Sequence, residues 1–227
     1  MDQGKGKAMR VAIIGTGNVG AAIARGLAGK GFAVTLGARD PASDKVQALA
    51  AATGAAVALP PEAAAGAEVI FLALPWAAAE QALRDLGDLA GKIVVDCMNP
   101  LTRGPQGIGL AMGHATSGGE TVQGWLPRAR VVKTLNQVGA EIMADTSRLP
   151  HPPVMFMAGD DPTAKEAVAR LLSALGFEAL DAGDLTKARL LEPFGMVWIN
   201  QALMRGKGRD WAFAAIAAAP TAERRMP

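Results

Sequence analysis

The sequence predicts an α/β protein with a doubly wound parallel sheet and a small C-terminal α/β lobe, and three observations carry that prediction. Short β-branched runs alternate with alanine-rich helical stretches along most of the chain. The first run leads straight into a glycine pattern, Gly15-Thr16-Gly17-Asn18-Val19-Gly20, that opens a helix. After Leu149 the texture shifts to a proline-rich linker, RLPHPP, and then to a second strand-helix-strand unit.

Six strands read off in order: RVAIIG from Arg10, AVTLGA from Ala33, a weak AAVAL from Ala55, EVIFLAL from Glu68, KIVVDCM from Lys92 and RVVKTL from Arg130. Helical stretches fit between most of them. The glycine-rich segment from Asn99 to Gly119 reads as a loop, long enough to suggest function or mobility rather than a plain connection. Beyond the linker, VMFMAGDDPTAKEAVARLLSALGFEALDAG reads as strand, helix, strand, with Asp161 as the helix cap and Pro162 in its first turn. A last helical stretch runs from Leu185 to Met204, punctuated by Pro193, and ends in RGKGRD. These features predict a nucleotide-binding domain over residues 1–150 and a lobe over residues 151–227 that completes the acceptor cleft.

Composition narrows the function. Half of the 227 residues are hydrophobic, enough for a real core, and the formal net charge is only +2. Basic residues are scattered apart from Lys5, Lys7 and Arg10 near one end and Arg224-Arg225 near the other, which argues against nucleic acid as a partner. A single cysteine, Cys97, excludes an intramolecular disulfide framework and a multi-cysteine metal site, and fits a reducing compartment. No apolar run approaches the roughly 20 residues that span a bilayer, so neither a membrane anchor nor a signal peptide is expected, and the cytoplasm is the expected location.

The glycine pattern has a physical reading. Gly15 permits the tight turn after the strand, Gly17 lets the backbone approach a pyrophosphate, and Gly20 lets the helix pack against the sheet. Following an apolar strand and preceding a second one, it predicts a Rossmann-type dinucleotide site. That second strand closes on Ala38-Arg39, where an acidic residue would accept hydrogen bonds from a free ribose 2′-hydroxyl. A guanidinium there matches a 2′-phosphate, so NADP is favoured over NAD. The alternative is a surface arginine paired with Asp40 or Asp44. Thr16 and Lys45 are placed to assist the same phosphate.

Further candidates sit at later strand ends. Leu74 and Pro75, in ALPW, and Met98, in CMNPL, are expected to wall the nucleotide. Trp76 is equally a packing residue or a ligand contact. Asn99 would bond the nicotinamide carboxamide or a substrate, or else serve as a turn former before Pro100.

Taken together, GTGNVG, LGARDP, LPW, DCMNPL, VVKTLN, GDDPTAKEAV, LDAGDLTKARLLEP and the glycine pair Gly206/Gly208 resemble the NADPH-dependent, coenzyme F420 oxidoreductase-like family of dinucleotide-binding proteins. The resemblance extends to the cofactor domain of the Steap ferric reductases and covers Met9 to about Trp211. It implies NADP contacts at Thr16 to Val19, Ala38, Arg39, Trp76, Met98 and the loop from Asn136 to Ala140. Two positions depart from the pattern. Ala38 stands where the family often has serine, and Asn136 where deazaflavin-reducing members carry histidine. These leave NADP as the implied cofactor and weaken the case for F420 itself; Asn136 as a structural turn residue is the alternative.

Catalytic residue types are otherwise scarce. His114 and His151 lie in a glycine loop and a proline linker and read as surface residues, while Cys97 reads as a small core residue. No metal site is expected. Hydride transfer between two planar carriers needs alignment and water exclusion more than an acid or base, so this scarcity is compatible with catalysis. The leading class is an NADP(H)-dependent oxidoreductase passing hydride to a deazaflavin, a flavin or another small acceptor. An imine or carbonyl reductase resembling pyrroline-carboxylate reductase and a non-catalytic NADP-binding protein are the alternatives. The apolar segment DWAFAAIAAAP would be a liability if left exposed, which with the resemblance predicts a homodimer.

Overall fold

The computed structural model describes residues 8–218; Lys5, Lys7, Arg224 and Arg225 lie outside that span. Its elements run β1 (Arg10–Ile14), α1 (Asn18–Leu27), β2 (Ala33–Gly37), α2 (Asp44–Thr53), β3 (Ala56–Ala58), α3 (Pro60–Gly66), β4 (Val69–Leu72), α4 (Trp76–Asp85) and β5 (Ile93–Asp96). There follow β6 (Leu101–Gly104), β7 (Gly107–Leu110), α5 (Gly118–Trp125), β8 (Arg130–Lys133), α6 (Ala140–Ala144), β9 (Val154–Gly159), α7 (Pro162–Ala174), β10 (Glu178–Asp181) and α8 (Ala188–Ile199). All six strands expected before residue 150 form.

Eight strands make one sheet, in the order β10-β9-β8-β5-β4-β1-β2-β3. From β3 to β8 every pairing is parallel. Side chains alternate across a strand, so each central strand feeds two cores. Val11, Ile13, Val69, Phe71, Ile93 and Val95 meet α1, α6 and α7 on one face. Ala12, Ile14, Ile70, Leu72 and Val94 meet α3, α4 and α5 on the other. Burying such side chains stabilises the fold by about 1.5–3 kcal/mol each, and it is why these strands read as continuous apolar runs.

Two findings refine the expected architecture. The segment from Asn99 to Gly119 is not loop throughout: it holds the antiparallel hairpin β6–β7 and the start of α5. Glycines there had concealed the strands, because β-propensity is low where neither face is deeply buried. The unit after the linker forms as expected, with Asp161 accepting from the Ala164 amide and Pro162 opening α7. Its strands, however, extend the main sheet, β9 joining β8 in antiparallel fashion and β10 joining β9 in parallel.

The apolar segment after Asp210 folds back over part of its length. Trp211 stacks on Trp198 with ring centroids 5.9 Å apart, Phe213 lies 4.4 Å from Phe194, and the Phe213 carbonyl accepts from the Val154 amide. Ile216 beyond them is 90% exposed.

Candidate functional site

The crevice lies where the chain reverses its winding, between the carboxyl ends of β1 and β4. Gly15 turns the chain with φ +102°, and a Cβ there would lie 2.4 Å from the Ala73 carbonyl at the end of β4. Gly20 lies so close beneath this turn that a Cβ would fall 1.9 Å from the Gly15 carbonyl oxygen. Gly17 has nothing within 4 Å of the corresponding point, and as the N-cap it offers α1 no side-chain cap. The first amides of α1 are thus left without a side-chain cap, as anion binding requires.

Thr16 and Val19 are half-buried at this mouth and Asn18 is exposed. Ala38 is buried at the end of β2, while Arg39 projects into solvent and makes no ion pair among the described residues. Pairing with Asp40 or Asp44, the alternative reading of Arg39, does not occur; the Asp40 carboxylate instead accepts from the Ala42 amide. The residues present thus suit a 2′-phosphorylated dinucleotide: an open cap, a close-packed glycine and an unengaged guanidinium.

Around the crevice, Leu74 is half-buried and Pro75 exposed, forming the N-cap of α4. Trp76 stacks on Trp125 at 5.4 Å and borders Gly118, so much of its ring is engaged in packing. The Met98 side chain is 3% exposed and packs into the α4/α5 core. Its peptide groups are bonded to Asp96 and Lys133 just beyond the end of β5. Ala140 begins α6 and is buried against α1. His114 and His151 are both exposed, and Cys97 is buried; burial, reinforced by the Asp96 carboxylate and opposed by Lys133, pushes its thiol pKa well up. Among the described residues no group of three His, Cys, Asp or Glu side chains is gathered to hold a metal.

Asn99 and Asn136 meet at the ends of β5 and β8. Asn136 Nδ2 donates to Asn99 Oδ1 at 3.0 Å and to the Leu191 carbonyl at 2.9 Å, and its Oδ1 accepts from Gln137 at 3.0 Å. Asn99 Nδ2 donates to the Asn136 carbonyl at 2.8 Å. Leu135, just before, is held at φ +57°, a left-handed conformation costly for a branched residue and characteristic of functional loops.

Beside this pair lies a cluster that sequence reasoning missed. Lys133, Asp96 and Glu192 are 0%, 0% and 1% exposed. Lys133 Nζ donates to Asp96 Oδ2 at 2.9 Å and to the Met98 carbonyl, and lies 3.0 Å from Glu192 Oε1. Glu192 in turn accepts from the Gly118 and Gly119 amides at 2.9 and 3.0 Å, the first turn of α5. Burial pulls the Lys133 pKa down, but the two carboxylates outweigh it and hold the ammonium above its ordinary value. The available signal was a charged residue in each of VVKTL, VVDCM and LLEPF, segments otherwise apolar enough to be buried.

A second tie joins the same helices. Arg189 on α8 grips Glu120 on α5 through two hydrogen bonds of 2.9 and 2.6 Å, and this holds the Glu120 carboxyl below its usual range against the opposing effect of partial burial.

Residues 10–100 match the family model described as NADP oxidoreductase, coenzyme F420-dependent. Over 187 residues, 82% of this chain, the sequence is 34% identical to the metalloreductase STEAP3 of Rattus norvegicus, of whose length it spans 36%. A candidate F420-dependent NADP-reductase from Arthrobacter sp. FB24 has a structure similar to this one, with a TM-score of 0.83 and 37% identity over 92% of this chain and 100% of the other. A reductive aminase from Aspergillus terreus, solved with NADPH, covers 88% of this chain with 63% of its own at 22% identity and a TM-score of 0.65, a likeness of fold alone.

Proposed function

Because this chain belongs to the coenzyme F420-dependent family of NADP oxidoreductases, we propose that it moves hydride between NADPH and a flat deazaflavin or flavin carrier, in the crevice outside β1 and β4. The observation that carries the nucleotide half of this reading is Arg39, exposed at the tip of β2 and free of any ion pair among the described residues. NADPH, when bound, supplies the hydride from its nicotinamide ring. The open amides of α1 take the pyrophosphate, Arg39 with Thr16 takes the 2′-phosphate, and Leu74, Pro75 and Trp76 flank the nucleotide.

Residues 1–150 hold the nucleotide in this reading, and residues 151–227 complete the acceptor side. Support comes from α8, which touches the Met98–Asn99 peptide through Glu192 and Lys133 and touches Asn136 through the Leu191 carbonyl. The acceptor assignment rests on what the cleft lacks. Lys133, Asp96 and Glu192 are buried and engaged with one another, and both histidines are exposed. A flat carrier stacks and takes hydride without a positioned proton donor, whereas reducing a carbonyl to an alcohol also requires a proton source.

We also infer a cytoplasmic homodimer. Leu190 and Val197, two turns apart on α8, are 64% and 50% exposed, an apolar pair suited to a second copy. Among the described residues no helix is long and apolar enough to cross a membrane. Light scattering that finds a stable monomer at working concentration overturns the dimer.

The functional test is a single-turnover screen of NADPH-loaded protein against F420, FMN and riboflavin beside panels of imines and aldehydes. Reduction of a flavin or deazaflavin with direct transfer of nicotinamide deuterium is expected. Fast reduction of a carbonyl or imine with no flavin activity overturns the assignment in favour of a carbonyl or imine reductase. Inertness toward every acceptor points to a non-catalytic NADP-binding protein.

A further inference from the structure

A buried ion cluster is an expensive way to fill space. Similar volumes of apolar side chain are often equally or more stabilising, so charges kept in a core call for a reason connected with placement. In the Asp96–Lys133–Glu192 cluster every polar group is used. The three protons of the Lys133 ammonium go to Asp96, Glu192 and the Met98 carbonyl. Asp96 divides its oxygens between Lys133 and the Met98 amide, the latter at 2.9 Å. Glu192 divides its own between Lys133 and the first two amides of α5, where the helix dipole offsets the cluster's excess negative charge.

Both peptide groups of Met98 are consequently clamped, one through its N–H and the other through its C=O. The next residue, Asn99, is held by Asn136. The same helix that supplies Glu192 also braces Asn136. The Leu191 carbonyl accepts from it, and Gly195 packs so closely that a Cβ would lie 2.6 Å from the Asn136 carbonyl oxygen. One face of α8 thus fixes both loop peptides at the carboxyl ends of β5 and β8.

We propose that Lys133 and Glu192 are positioning residues, which together with Asp96 set the Met98–Asn99 peptide against the nicotinamide end of the dinucleotide by wiring it to α8. This rests on the NADPH reading given above. It assigns α8 a share in cofactor geometry although no residue of that helix lies in the glycine-rich phosphate site. The phosphate end, built from Gly15 to Gly20 and Arg39, has no member in the cluster.

That separation supplies the test. Wild-type protein, Lys133→Met and Glu192→Gln are titrated by calorimetry with NADPH and with 2′-phospho-ADP-ribose, the same nucleotide without its nicotinamide. Both variants are expected to bind 2′-phospho-ADP-ribose within about twofold of wild type and to lose about tenfold toward NADPH, with Glu192→Gln the milder. With any acceptor that supports turnover, kcat falls more than the acceptor KM rises. Glu192→Gln leaves no excess buried charge and decides the matter if Lys133→Met does not fold. Parallel weakening of both nucleotides, or no weakening of either, overturns the proposal and leaves the cluster a purely structural brace. Failure of the wild type to bind NADPH overturns the functional reading, and this proposal with it.

Discussion

Asn136 and Asn99 exchange hydrogen bonds across the carboxyl edge of the sheet, the Asn136 amide donating to Asn99 Oδ1 at 3.0 Å and the Asn99 amide to the Asn136 carbonyl at 2.8 Å. The two are not equivalent. Asn136 is 4% exposed, and both its amide protons and its oxygen are engaged. Asn99 is half-buried and leaves one amide proton unengaged among the described residues. Asn136→Ala should therefore act on stability, since it strands buried partners at about 1–3 kcal/mol. At about 2–4 °C per kcal/mol for a chain of this size, calorimetry should show a clear fall in Tm. Asn99→Ala, which leaves the buried Asn136 amide and carbonyl one partner short each, should lower Tm by less and slow NADPH oxidation as well. The opposite pattern would exchange the two roles.

Gly17 and Gly20 separate binding from folding. A Cβ at Gly20 would overlap the Gly15 carbonyl, a backbone atom that cannot move aside, so Gly20→Ala should destabilise by about 3 kcal/mol or fail to yield soluble protein. Gly17→Ala meets nothing within 4 Å and should keep the wild-type Tm. It should nevertheless weaken NADPH by about tenfold or more, because the methyl group occupies the pyrophosphate's approach. Unchanged NADPH affinity in that variant would remove the phosphate from this turn.

Arg39→Ala removes a charge-assisted contact of about 1.5–3 kcal/mol, which corresponds to NADPH binding weakened by about 10- to 150-fold. NADH affinity should barely move. Equal weakening of both, or wild-type protein that binds NADH as tightly, would contradict the 2′-phosphate assignment.

The raised pKa of Lys133 sets a sign for alkaline stability. A cation whose folded pKa exceeds its unfolded one contributes fully below the unfolded value, about 10.4 for lysine. Its contribution fades as pH rises through the higher folded pKa. Between pH 7 and 9 this group should leave Tm unchanged, and above about pH 10.4 Tm should drop as the buried carboxylates lose their partner. A Tm that already falls between pH 7 and 9 in wild type, and no longer does so in Lys133→Met, would contradict a charged Lys133.

Cys97 should resist alkylation. Burial, with Asp96 adding to it and Lys133 opposing, holds the thiol protonated well above its usual range. Iodoacetamide at pH 8 is expected to leave the native protein unmodified and to label it in denaturing urea. Fast labelling of the native state would mean that the strand end opens.

Local pattern determined a good deal of this protein. The alternating apolar runs fixed the strands from Arg10 to Lys133, and the spacing of three glycines between a strand and a helix fixed the phosphate turn, because both signals act between near neighbours in the chain. The cap at Asp161-Pro162 was legible for the same reason. The hairpin within Asn99–Gly119 was not, because its glycines mask the strand pattern, and the merging of β9 and β10 into the main sheet was not, since that pairing depends on partners remote in sequence. Tertiary structure alone decided the candidate site's deeper layer. Asp96 and Lys133 are opposite one another only in the register of β5 and β8, and Glu192 reaches them only when α8 folds back. Each of these charges is implausible in a core by itself. Their ion pairing, and so their burial beside the Met98 peptide, exists only once three distant segments have been brought together.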